Sequence, residues 1–165
     1  MSQVKRIVVG VNGEKKSAVV LRDSPNHQEV PGDRGADVTQ REPTDNGLTF
    51  RALEIPPDIK DAKKHIEILK ELNKQVKQKY PPTEKDFARH PSMHRTDTCD
   101  MFVVASGEIF LMSDTDETLL KPGDTAIVQG VNHAWSNRSD KPCTIIGVMV
   151  HANPWPKDQY PAPGL

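Results

Sequence analysis

Two cysteines, Cys99 and Cys143, are too few for a disulfide scaffold, and they point to the cytosol with both thiols reduced. No apolar run approaches the roughly 18 residues that span a bilayer, so no membrane partner is expected. The first apolar stretch, Ile7 to Val9, is closed at once by Gly10 and is too short for the core of a secretory signal. Charge of one sign is also lacking. Lys and Arg number 22 against 23 Asp and Glu, which argues against a nucleic-acid partner, since such proteins carry a basic excess.

What remains is a chain of 165 residues, enough for one domain with a hydrophobic core and too short for two comfortable ones. Its 14 prolines and 10 glycines suit many short strands joined by turns. Strands are predicted at 4–10 and 17–21 around Asn12-Gly13, and at 48–55, closed by Pro56-Pro57. Residues 23–46 are polar, rich in Pro, Gly and Asp, and read as a long surface loop. Ile59, Ala62, Ile66, Leu69, Leu72 and Val76 recur at helical spacing and predict an amphipathic helix over 58–80, with Asp58 as N-cap and Pro81-Pro82 as the stop. Its apolar stripe is assigned to the outside of a barrel or to another subunit, with a lid over the barrel mouth as the lesser reading. From 93 onward the pattern is β. Strands are predicted at 98–105, 108–112, 117–120, 125–129, 133–137 and 143–151, and the tail 152–165 lies along the surface. Short strands at near-regular spacing indicate an all-β barrel or sandwich. The division is one domain over 1–165, with N-terminal strands in 3–55, the inserted helix in 58–80 and a barrel core at about 89–151.

Side chains of a strand alternate between faces. Uninterrupted alternation puts His94, Thr96, Thr98, Asp100 and Phe102 on one face, and His133, Trp135 and Asn137 on another face some thirty residues later. If these strands oppose one another, two imidazoles and one carboxylate converge. Two His and one carboxylate suit Fe(II) with open positions, and equally Mn(II), Ni(II) or Zn(II). A carboxylate such as Asp100 in a buried strand needs a cation, a metal or hydrogen bonds. Arg51 shares a strand face with Thr49, Leu53 and Ile55, and from inside a barrel it would bind a substrate carboxylate bidentately. His151, at the end of the last strand, is a candidate general acid or base. Thr96, Phe102 and Trp135 are assigned to the substrate pocket. His90 is read as a surface histidine, and Cys99 as a buried, inert thiol facing away from Asp100.

The stretch His94-Arg95-Thr96-Asp97-Thr98-Cys99-Asp100 through Gly107 resembles the first cupin motif, G-x5-H-x-H-x3,4-E-x6-G, with Asp100 at the glutamate position and His94 at the first histidine. Thr96 stands where the second histidine belongs, and the leading glycine is missing. Gly123 through Asn137 resembles the second motif, G-x5-P-x-G-x2-H-x3-N. Gly130, His133 and Asn137 match in spacing, Val128 stands at the proline position, and the gap from Gly123 is one residue short. The resemblance covers about 89–150. It implies a double-stranded β-helix, that is a jelly-roll barrel, holding one divalent metal (Fe, Mn, Ni or Zn) through His94, Asp100 and His133. It further implies a homodimer and a metal-dependent enzyme acting on a small organic acid or carbonyl compound. Decarboxylase chemistry is the leading reading, an Fe-dependent dioxygenase the second, and a non-catalytic small-ligand-binding barrel the third.

Overall fold

The computed structural model describes residues 6–11, 16–23, 42–75, 78–156 and 158–159. The N-terminal strands β1 (Arg6–Val11) and β2 (Ser17–Asp23) form an antiparallel ribbon. The predicted turn at Asn12-Gly13 and most of the predicted loop, 24–41, lie outside the described residues. Then follow β3 (Leu48–Ile55), α1 (Ala62–Gln75), α2 (Glu84–Arg89), β4 (Thr98–Ser106), β5 (Ile109–Met112), β6 (Glu117–Leu120), β7 (Thr125–Gln129), β8 (Ala134–Ser136) and β9 (Cys143–His151). One antiparallel sheet has the order β3-β9-β4-β7 and the other β6-β5-β8. The inner faces of both supply a shared core, with Phe102 and Val104 from β4, Ile109 from β5, Leu120 from β6, Trp135 from β8 and Ile145 and Met149 from β9. Two antiparallel sheets closed over a shared core are the double-stranded β-helix expected from the sequence.

Two glycines bear on the packing around β9. Gly107, between β4 and β5, has φ of +75°, and a Cβ there would stand 2.7 Å from the Pro142 carbonyl oxygen. Gly147 lies opposite Phe102 in the β4–β9 ladder. A Cβ on it would run into the Met101 carbonyl oxygen and lie 2.6 Å from Cδ1 of the Phe102 ring, so β9 gives up a side chain where Phe102 needs space.

The helical segment differs from the sequence prediction at both ends. Asp58 is not the N-cap. Its backbone N–H donates to the Asn137 carbonyl at 2.7 Å, and its carboxylate accepts from Ser136 Oγ at 2.6 Å, which ties it to the strand side of the molecule. The helix starts four residues later, and Asp61 Oδ1 takes the Lys64 N–H at 3.1 Å. At the other end Tyr80 bridges to Arg95 in extended conformation, so the helix stops well before Pro81. A second helix, α2, was not anticipated. Thr83 caps it, with the Thr83 hydroxyl and the Asp86 carboxylate satisfying each other's backbone N–H groups. No helix among the described residues is long and apolar enough to cross a membrane. The described part of the tail follows the surface, where Trp155 Nε1–H donates to the Gln129 carbonyl at 2.6 Å.

Candidate active site

His94 and His133 face each other across an isolated antiparallel bridge in which each backbone N–H donates to the other's carbonyl at 2.9 Å. Residues that exchange both bonds project their side chains to the same face. The two rings therefore meet, with centroids 4.3 Å apart and planes inclined by 51°. His94 Nδ1–H donates to the Ser92 carbonyl at 2.8 Å, and His133 Nδ1–H donates to the Val131 carbonyl at 2.9 Å. A neutral ring held in this way carries its lone pair on Nε2, the orientation in which a backbone carbonyl prepares an imidazole for metal binding.

Asp100 sits mid-strand on β4, with Val128 of β7 on one side and Met149 of β9 on the other. It is 2% exposed, and its Oδ1 has no hydrogen-bond partner. Burial pushes its pKa up to about 6, against the opposing pull of the Thr98 hydrogen bond and the Arg51 charge. Arg51 reaches the same region from β3, and the face it shares with Leu53 and Ile55 lines the interior.

These groups border one cavity of about 230 Å³. Arg51, His94, Asp100 and His133 supply its polar wall, and Leu53, Phe102, Trp135 and Met149 belong to its apolar wall. Phe102 and Trp135 meet edge to face at 5.8 Å. Helix α1 contributes Leu69 and Asn73, so the helix assigned to the barrel's outside forms part of the cavity wall instead. Its outer residues are open, Leu72 being 49% exposed.

Two of the predicted site residues lie off the cavity. Thr96 is buried but does not line the cavity, and its Oγ1 lies 2.7 Å from Thr98 Oγ1. The ladder of β4 begins only at Thr98, so strict alternation does not carry from His94 through Thr96. His151, last in β9, is held by Gly47 through its backbone and faces Asp45 Oδ1 at 3.4 Å, away from the cavity. The three-ligand cluster is also not assembled as alternation predicts. Among the described residues no three His, Cys, Asp or Glu side chains are grouped to hold a metal ion. The imidazoles meet, while Asp100 stands on the wall of the same cavity. Cys99 is half-buried, on the face of β4 opposite to Asp100, and Cys143 is buried; both are free thiols.

Sequence reasoning missed a polar chain beside this wall. The His90 side chain, read as a surface group, is only 11% exposed. Its Nε2–H donates to Asp58 Oδ2 at 3.3 Å, and its Nδ1 accepts from Ser92 Oγ at 2.8 Å. Burial raises the Asp58 pKa, but hydrogen bonds from His90 and Ser136 and the nearby imidazoles outweigh it and hold the carboxyl below its ordinary value. Burial also lowers the pKa of His65 on α1, whose ring stands edge-on to His90 at 5.7 Å. The signal available in the sequence was the His90-x-Ser92 spacing; the partner Asp58 lies 32 residues earlier.

A family model described as a cupin domain matches residues 76–150. Phomopsin biosynthesis cluster protein C' of Diaporthe leptostromiformis is 52% identical over 48 residues, 28% of this chain and 25% of that protein. Oryzines biosynthesis cluster protein J of Aspergillus oryzae is 44% identical over 50 residues, 30% of this chain and 28% of that protein. The match thus spans about a quarter of the length of these curated relatives. Among solved structures, a cupin-2 domain containing protein from Shewanella frigidimarina aligns with a TM-score of 0.40 and 11% identity, over 78% of this chain and 84% of that one. A sugar phosphate isomerase from Silicibacter pomeroyi aligns at 0.37 and 19%, over 64% of this chain and 50% of that one. Residues 76–150, a little under half of the chain, thus carry the match to the cupin domain.

Proposed function

We propose that this chain is a cupin enzyme of the decarboxylase type, acting on a small organic acid within the barrel with one divalent metal (Fe, Mn, Ni or Zn) as cofactor. The observation that carries this reading is the presence, around one part-apolar cavity, of the Arg51 guanidinium, the partnerless Oδ1 of buried Asp100 and two backbone-oriented imidazoles. Names that place two relatives in fungal biosynthesis clusters support a small-molecule substrate.

The donors fit a metal in kind. Imidazole Nε2 and carboxylate oxygen are the ligand types of a two-His-one-carboxylate site, and a buried acceptor without a donor is a group that a cation satisfies. His94 and His133 would hold the ion, with Asp100 as third donor. When bound, such a metal supplies Lewis-acid stabilisation of negative charge on a substrate oxygen. The chain's own residues do the rest. Arg51 takes a substrate carboxylate through paired N–H groups. Phe102, Trp135 and Met149 exclude water from the carbon skeleton, which strengthens every charge contact inside. Carbon dioxide departs from the substrate, and the bonding pair stays on the remaining carbon until a proton arrives.

The ungrouped position of Asp100 favours a second reading, a barrel that binds an organic acid through Arg51 without converting it. Metal content separates the two. After dialysis with each metal in turn, about one ion per chain is expected by elemental analysis. His133→Ala and Asp100→Ala are expected to weaken binding by about 10- to 100-fold while circular dichroism stays native, and Thr96→Ala is expected to keep the metal. Retention in both ligand variants would remove the metal assignment. Metal bound without carbon dioxide release from a panel of small carboxylic acids would leave the binding role.

A further inference from the structure

Ser92 lines the cavity. We propose that Ser92, His90 and Asp58 form a nucleophile–base–carboxylate triad, and that the cavity carries a second activity, acyl transfer from small esters to water.

The contacts follow in order. Ser92 Oγ lies 2.8 Å from His90 Nδ1, and His90 Nε2 lies 3.3 Å from Asp58 Oδ2. A carboxylate can only accept, so Nε2 carries the hydrogen and Nδ1 the lone pair. That is the tautomer a general base needs toward a serine hydroxyl. Ser136 Oγ donates to the same Asp58 oxygen at 2.6 Å and fixes the carboxylate, while Arg138 Nε donates to Ser136 at 3.3 Å. Ser92 also has the Trp135 carbonyl within 3.3 Å, and its backbone N–H donates to His90 Nδ1 at 3.2 Å. That backbone bond alone would account for a turn staple. It accounts neither for Asp58 being brought in from 32 residues away nor for Ser92 lying on the cavity wall. Arg51 and Asn73 line the same cavity, and in the proposed reaction they would turn N–H groups toward a developing oxyanion.

In the reaction, Ser92 Oγ bonds to the ester carbonyl carbon, and its proton passes to His90 Nδ1. The carbonyl re-forms, the ester C–O bond breaks, and the alcohol leaves with that proton. Water then repeats the sequence and releases the acid.

An alkyl fluorophosphonate tests this without a natural substrate, because Oγ–P bond formation releases fluoride and leaves a stable mass on the serine. The full chain is labelled in EDTA, so the outcome does not depend on the metal reading, and the adduct is located by peptide mass spectrometry. The expected result is a single adduct on Ser92, absent in Ser92→Ala. His90→Gln, confirmed folded by its melting temperature, is expected to label about 100-fold more slowly. Asp58→Asn is expected to slow labelling, with partial recovery in Asp58→Glu, a difference that a role confined to the turn would not produce. No adduct on Ser92 in the wild-type chain overturns the proposal, as does an unchanged labelling rate in folded His90→Gln.

Discussion

Asp100 is a carboxylate that the fold keeps from water without giving its Oδ1 a donor. Its pKa stands at about 6 against an ordinary 3.8, so the folded state binds a proton before the unfolded state does. The sign follows. Above pH 6 the residue is charged in both states, and its burial costs stability in full. The cost shrinks as pH falls from 6 toward 3.8 and is gone below that. A gap near two units is worth about 2–3 kcal/mol. In EDTA at pH 7.5, Asp100→Asn is therefore expected to stabilise the chain by about 1–3 kcal/mol in urea denaturation, with the advantage vanishing by pH 4. An equal midpoint for the two proteins at pH 7.5 would mean that the charge is solvated. Retaining a destabilising charge where an apolar residue would pack is what a functional site does.

Among the elements, α2 does more than its six residues suggest. Asp86, 7% exposed, takes the Thr83 backbone N–H and hydroxyl on one oxygen, both at 2.7 Å, and Asn132 Nδ2 on the other at 2.6 Å. It thereby ties a helix start to the residue before His133. Asp86→Ala removes the reciprocal half of the capping box and takes one acceptor from a buried amide, for an expected loss of about 2–3 kcal/mol. Thr83→Ala costs about 1 kcal/mol. Chemical denaturation of the two variants ranks them, and equal losses would show that the Asn132 bond carries nothing. The same elements show what was legible in the sequence. The bounds of β3, β6, β7 and β9 follow from alternation and from turn pairs such as Pro122-Gly123, because local chemistry decides them. The predicted helix is too long because its apolar period extends back to Ile59. The claims of Asn137 and Ser136 on Asp58, and of Arg95 on Tyr80, come from distant strands and leave no periodic mark. Helix α2 is too short to show a period, although Thr83-Glu84-Lys85-Asp86 spells its cap. In the site, Arg51 and the His94–His133 pair could be anticipated from alternation. Parity failed at Thr96, where the chain has not yet joined the ladder.

On the scale of the whole molecule, the two thiols report different events. Cys143 is fully buried in the core shared by the sheets, and burial, with the nearby Glu108 charge, pushes its pKa up to about 11. Cys99 is half-buried, on the outer face of β4. Since the thiolate is the reactive form, a disulfide reagent at pH 8 is expected to modify Cys99 first. Cys143 is expected to react only at the rate of global opening, rising with urea in step with unfolding. Simultaneous modification of both would show that the two sheets separate locally. Gly147 acts at this scale as well. Phe102 borders the cavity while its back rests on bare backbone of β9. One methyl group added there would displace both that ring and the Met101 backbone, so the shape of the chamber is set from beneath its lining, by a position that does not itself border the cavity.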